Sequence, residues 1–198
     1  PVTHGWTIVD YYMRKKLAYH PVRRAYQPVT TVVVLEDDSV KIFGINDSPD
    51  PWQGTVRYGI FRLEGGFPVN ESKTASIPAN TSVLLAAFPA EKWKEEDIKT
   101  SGAFSIIEQN DKMVAQYRLF NERFKDLKFL KPIVKITRGK ETVTFQSEVF
   151  VWGACIDTDG EKTVADNCFD LLPGVPYTMP WTEKTAPKVI FTGNDLFY

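Results

Sequence analysis

Hydrophobic and polar positions divide the chain into two regimes. From Trp6 to Gln27 the apolar positions Ile8, Tyr11, Tyr12, Ala18, Tyr19, Val22 and Tyr26 recur at roughly three- and four-residue steps, the period of a helix. Pro21 lacks an N–H and clashes with the preceding turn, so this pattern predicts a short helix or one broken near His20, ended by Pro28. After Pro28 the period changes to two. Val29–Leu35 is a β-branched run, Glu36-Asp37-Asp38 a hairpin turn, and Val40–Ile45 a second strand closed by Asn46-Asp47-Ser48-Pro49. Val56–Leu63 and Thr81–Phe88 read as further strands. Ala103–Gln109 and Met113–Arg118 flank Asn110-Asp111, a strong hairpin signal. Glu91–Lys99 is charged and fits a surface helical turn, and Asn121–Lys128 reads as a connection.

A second β unit begins near Phe129. Its strands are expected at Pro132–Thr137, Thr142–Ser147, Val149–Asp157, Phe169–Leu172, Tyr177–Pro180 and Lys188–Thr192, with Asp159-Gly160 and Pro173-Gly174 as turns. The expected class is all-β: two immunoglobulin-like β-sandwiches in tandem, residues 28–128 and 129–198, preceded by a helical stub over 1–27. About 70 residues is little for a sandwich, so the second unit is expected to lean on the first. A short aromatic helix in front of an all-β chain also suggests that the sequence begins inside a larger one.

Charge sharpens the contrast between stub and sheets. The chain has 198 residues and a formal net charge of -1. Residues 1–27 carry five Lys/Arg against one Asp, residues 28–128 carry 12 basic against 15 acidic, and residues 129–198 seven against nine. The β region thus lacks the basic footprint of a nucleic-acid binder, and the stub's charges fit a solvated helix face. No run of about 18 apolar residues predicts a membrane helix. Cys155 and Cys168 leave two readings open: one disulfide, or two apolar sheet residues.

Candidate chemistry is sparse. Both histidines, His4 and His20, lie in the stub, away from either cysteine, which argues against a Cys-His nucleophile. There is no His-Glu-x-x-His, no Cys-x-x-Cys and no phosphate-binding Gly-rich loop, so no metal or cofactor is expected. Asp157-Thr-Asp159-Gly160-Glu161 hints at a calcium loop, but its Gly falls at the fourth position and no Glu closes it, so it reads as a solvated hairpin tip. A glycosidase needs two paired carboxylates, and spacing pairs none here; Glu148 is the most sheet-embedded. Asn70-Glu-Ser72 and Asn80-Thr-Ser82 are formal glycosylation sequons. Trp52, Trp93 and Trp181 are candidates for stacking on sugar rings, against the alternative that they pack inward; Trp152 reads as packing.

Three stretches resemble one family. Trp6-Thr-Ile-Val-Asp-Tyr-Tyr-Met-Arg-Lys-Lys-Leu-Ala-Tyr-His-Pro-Val-Arg-Arg-Ala-Tyr-Gln-Pro-Val resembles the Trp-Ser-x-x-Asp-Tyr-x-Gly-Arg-x-Lys-x-x-x-Tyr run at the exit of the catalytic barrel in β-mannosidases of glycoside hydrolase family 2, with Met13 where the family usually has Gly and Thr7 where Ser is common. Val164-Ala-Asp-Asn-Cys-Phe-Asp-Leu-Leu-Pro-Gly174 resembles the Ser-Asp-Asn-x-Phe-x-Leu-x-Pro-Gly stretch of the last sandwich, and Val40–Asp47 resembles the hairpin opening the first. The stretches occur in the family's order.

The resemblance implies that the stub is the last helix of an upstream (β/α)8 barrel. Trp6, Tyr11, Tyr12 and Tyr19 would then dock on that barrel, the partner expected for this chain. It implies a retaining exo-glycosidase as parent, with both catalytic carboxylates before residue 1, so no residue here is expected to be catalytic. It also implies secretion or a periplasmic location. The substrate implied is a β-mannoside or another equatorial glycoside, since exo-β-glucosaminidases of the family have similar barrel exits. Two other function classes stand beside this one: a carbohydrate-binding module for β-mannoside oligosaccharides, and an adhesion sandwich that accepts a partner strand.

Overall fold

The computed structural model describes residues 7–198, so Trp6 and His4 lie outside the described residues. The chain groups into two compact units: Gln27–Lys128, and the N-terminal segment to Tyr26 together with Phe129–Tyr198.

In Gln27–Lys128, strands β1 (Val29–Glu36), β2 (Ser39–Asn46) and β5 (Thr81–Pro89) form one antiparallel sheet in the order β1-β2-β5. Strands β3 (Trp52–Arg62), β4 (Val69–Ile77), β6 (Ser101–Gln109) and β7 (Lys112–Leu119) form the other, in the order β4-β3-β6-β7. A four-residue helix α2 (Glu91–Lys94) follows β5. The two tight hairpins, β1-β2 and β6-β7, turn at Asp37-Asp38 and Asn110-Asp111, all four with φ between 50° and 59°. Asp and Asn tolerate this left-handed conformation, and the turn's twist matches that of the strands.

β2 alternates strictly, its even-numbered residues Val40, Ile42, Gly44 and Asn46 buried and its odd ones half-exposed. Val33, Val40, Ile42, Val56, Ile60, Ile77, Ala103 and Ile107 build the core between the sheets. Thr31 of β1 and Ser105 of β6, both fully buried, share a 2.8 Å hydrogen bond across it. Asn46 is fully buried and fully used: its Nδ2 donates to the carbonyls of Asp50, Ile77 and Pro78, and its Oδ1 accepts from the Ser48 N–H and hydroxyl. One side chain thereby fixes the loop after β2 and the end of β4. The outer face of β3 and β6 is covered too: Phe104 meets Phe61 and Phe67, and the Arg57 guanidinium lies 4.6 Å from the Phe67 ring centre.

The other unit has shorter strands. β8 (Lys135–Arg138), β9 (Thr142–Gln146) and β12 (Tyr177–Pro180) pair in the order β12-β9-β8, and β10 (Val151–Ala154) pairs with β11 (Phe169–Leu171). Phe145, Phe169, Val143, Met179 and Trp181 fill the space between, with Phe169 stacked on Tyr177 at 4.5 Å. The stretch Lys188–Thr192, expected as a strand, contributes a single bridge, Cys155 to Phe191. Asn194 pins the C-terminal turn, its Oδ1 accepting from the Trp152 N–H and its Nδ2 donating to the carbonyls of Leu130 and Phe150.

The stub is helical over a shorter stretch than its apolar spacing spans. Only α1 (Tyr19–Ala25) is helical, and Pro21 sits in its first turn, where a missing N–H removes no helical bond. The residues before it form a small hairpin instead: Val9 bridges Lys15, and the Asp10 carboxylate accepts from the N–H groups of Tyr12 and Arg14. Tyr11 and Tyr12 thus belong to the turn of this hairpin rather than to a helix face. Met13 takes φ 63° at its tip, which explains why glycine suits the equivalent place in the resembled motif.

Two substitutions should act with opposite signs in urea denaturation. Met13→Gly relieves the left-handed strain and should stabilise its unit by about 0.5–1 kcal/mol. Gly59→Ala should destabilise Gln27–Lys128 by roughly 3 kcal/mol or more, since a Cβ there would lie 1.9 Å from the Val69 carbonyl oxygen.

Candidate functional site

The two resembled motifs at opposite ends of the chain meet at one carboxylate. Asp166 is 3% exposed. Its Oδ1 accepts from Arg24 Nη1 at 2.6 Å and from the Asn167 N–H at 2.8 Å, and its Oδ2 accepts from the Tyr177 hydroxyl. His20 Nδ1 stands 3.6 Å from the same Oδ1, and Arg23 Nη2 3.8 Å. Arg24 continues the contact, donating to the carbonyls of Asn167 at 3.0 Å and Cys168 at 2.7 Å. The α1 helix supplies the geometry: His20, Arg23 and Arg24 are three and four residues apart and face one side.

Burial is the largest influence on the Asp166 carboxyl and pushes its pKa up. Nearby His20, the Arg24 guanidinium, the Tyr177 hydroxyl and the Asn167 N–H together outweigh it and hold the pKa below the usual carboxylate value. The Tyr177 hydroxyl is pushed up, by burial first and then by the adjacent carboxylate, so it remains a proton donor. Asn167 braces the arrangement from behind: its Oδ1 accepts from the Ile156 and Cys168 N–H groups, and its Nδ2 donates to the Asp157 carbonyl.

A second contact holds the stub hairpin. Gly160 takes φ 67° and leaves so little room that a Cβ would lie 2.4 Å from the Lys15 carbonyl oxygen. Glu161 faces Arg14 Nη1 at 3.6 Å. The Asp157–Glu161 turn, expected to be a solvated tip, is therefore a seat for the stub, with Asp157 buried and its Oδ2 accepting from the Lys162 N–H. Held at both places, the hairpin presents Tyr11 at 92%, Tyr12 at 68% and Met13 at 78% exposure. Tyr11 and Tyr12 meet edge to face at 5.4 Å, and the Arg14 guanidinium lies over Tyr12.

The structure separates the sequence candidates. Tyr11 and Tyr12 form the exposed tip, Tyr19 is half-buried beside His20, and Trp6 is outside the described residues. Trp52, Trp93 and Trp181 are 4%, 3% and 7% exposed, so none offers a ring face for sugar stacking in this conformation. Trp52 joins the core of Gln27–Lys128. Trp93 donates its Nε1 to Ser101 Oγ at 3.0 Å, and Trp181 donates to the Thr185 carbonyl at 2.8 Å. Each aromatic body is used by its hydrophobic core. Arg24, Asp166 and Tyr177 were not singled out by sequence as site residues, and Gly160 was read only as part of a turn; an acid set within the apolar run Val164-Ala165 and Cys168-Phe169 was the available signal.

Asp166 has a lowered pKa when folded, so it contributes stability above its unfolded value of about 3.9 and loses it as pH falls through the lower folded value. Asp166→Asn should cost about 3 kcal/mol near neutral pH, because it leaves Arg24 uncompensated. It should also flatten the fall in melting temperature of the wild-type chain below pH about 4. A wild-type acid profile retained in Asp166→Asn would contradict this assignment.

Comparison with known proteins places these observations. The mannosidase Ig/CBM-like domain family matches residues 38–126. β-Mannosidase B of Thermothelomyces thermophilus is 24% identical over 90% of this chain, which corresponds to 24% of that protein. The fold is similar to part of a β-D-mannosidase from Dictyoglomus thermophilum, with a TM-score of 0.76 at 20% identity over 97% of this chain and 23% of that one. An exo-chitosanase from Amycolatopsis orientalis follows with a TM-score of 0.64 at 19% identity, over 93% of this chain and 26% of that one. The chain thus spans about a quarter of the length of these relatives. Residues 38–126 match the mannosidase Ig/CBM-like domain family, and the chain as a whole resembles the C-terminal region of β-mannosidase-like enzymes of glycoside hydrolase family 2.

Proposed function

We propose that this chain is the non-catalytic β-sandwich region of a β-mannosidase-like retaining exo-glycosidase, and that its stub docks on an upstream catalytic barrel. The observation that carries this reading is the stub itself. Its base is clamped to Asp166 and Gly160, while its tip holds Tyr11, Tyr12 and Met13 in solvent. A soluble domain does not ordinarily order a tight turn to expose three large apolar side chains side by side; such a patch fits a surface made for another protein element. Tyrosines suit that task because they combine a broad apolar body with a polar edge.

In such an enzyme the barrel supplies both carboxylates. One protonates the leaving oxygen, and the other forms a glycosyl-enzyme that water resolves. The sandwiches would contribute rigidity at the barrel's exit. The enclosed positions of Trp52, Trp93 and Trp181 give carbohydrate binding no comparable support.

The pure chain should release no aryl alcohol from an aryl β-mannoside above the buffer rate. Calorimetric titration with manno-oligosaccharides should give no binding heat. Measurable turnover would overturn the non-catalytic reading, and saturable heat abolished by Trp52→Ala in a folded variant would favour a binding module.

A further inference from the structure

Ala154 of β10 pairs with Phe169 of β11, antiparallel. Continuing that register by one residue sets Cys155 opposite Cys168. The Cys155 N–H donates to the Phe191 carbonyl and its own carbonyl accepts from the Ile190 N–H, so both groups point away from Cys168. The Cys168 carbonyl is engaged by Arg24 and its N–H by Asn167 Oδ1. Cys168 leaves the strand with φ 50°, so the ladder ends here with the two cysteines next to its last paired residues, Ala154 and Phe169. Residues beside a paired position stay within reach of the Cα separations that a disulfide spans. Each thiol is near enough to perturb the other's ionisation, although burial, the largest cause, pushes both up, Cys168 to about 12. Both are free thiols here, Cys155 buried and Cys168 half-buried.

We propose that Cys155 and Cys168 form an intramolecular disulfide under oxidising conditions, and that this bond locks the seat of the N-terminal stub. The segment they would close, residues 156–167, carries Gly160, Glu161, Asp166 and Asn167, which together hold the Lys15, Arg14 and Arg24 side of the stub. With glutathione disulfide as oxidant, the half-exposed Cys168 thiolate attacks one glutathione sulfur and expels glutathione thiolate. The Cys155 thiolate then attacks the Cys168 sulfur of the mixed disulfide and expels the second glutathione. Two protein thiols are oxidised, one glutathione disulfide is reduced to two thiols, and the two protons leave with them. Because burial keeps both thiols protonated, the exchange accelerates with rising pH.

The test incubates the folded chain with glutathione disulfide at pH about 9, blocks remaining thiols with N-ethylmaleimide, and measures intact mass and a non-reduced tryptic digest. The expected result is a chain with no maleimide, no bound glutathione and a linked Cys155–Cys168 peptide. Its melting temperature should rise by about 5 °C or more, reversibly with dithiothreitol, because the short closed loop loses freedom in the unfolded state. Two maleimide adducts, or a stable glutathione adduct on Cys168, would overturn the proposal. A melting shift of the same size in Cys168→Ser would overturn it equally, since that variant cannot form the bond.

Discussion

A carboxylate removed from water must be given partners, and Asp166 receives them from distant parts of the chain. Its neighbour supplies an N–H, the start of β12 supplies Tyr177, and α1, 142 residues away in sequence, supplies Arg24. Each is a charge-assisted hydrogen bond, and such bonds are the strong ones. Removing any one leaves the others directed at an incompletely compensated buried charge, so the set acts together. The position of the stub, the course of the loop before β11 and the orientation of the exposed tyrosines all follow from it.

This arrangement also explains how so small a sheet system stands. Some 70 residues bury a modest fraction of their surface, and strands of three to five residues leave few ladder bonds. The additional elements come from the N-terminal segment, which groups with Phe129–Tyr198. Gln27–Lys128, by contrast, has strands of eight to eleven residues and a core that closes without such help.

The sequence was most informative where local chemistry and burial agree. The β1-β2 and β6-β7 hairpins followed from period-two runs around Asp37-Asp38 and Asn110-Asp111, because left-handed turn residues and alternating burial both write themselves locally. β4 escaped notice because Val69-Asn-Glu-Ser-Lys-Thr-Ala-Ser-Ile77 lies at a sheet edge with its middle residues, Asn70 to Thr74, in water. Polar and charged residues are what such an edge needs, and they erase the pattern by which strands are found. In the stub the short helix appeared at Tyr19–Ala25, whereas the residues before it turn as a hairpin that the helical spacing did not reveal. At the candidate site the motif containing Asp166 was recognisable, yet its partners were not. A long-range ion pair has no local signature. For the tryptophans sequence left sugar stacking and inward packing both open, and Trp93 and Trp181 turn inward, each satisfying its one N–H.

The sequence order of the two units has a kinetic consequence. Gln27–Lys128 is inserted within the chain between two pieces that belong to one unit. During synthesis the inserted sandwich has all its strands once β7 has emerged, and it can fold as translation continues. Arg24, made early, must wait for Asp166 and Tyr177, more than a hundred residues later. Contacts of such separation form slowly because a long loop must close first. Until they do, the nascent chain carries Tyr11, Tyr12 and Met13 without a seat, in the interval when chaperones meet it.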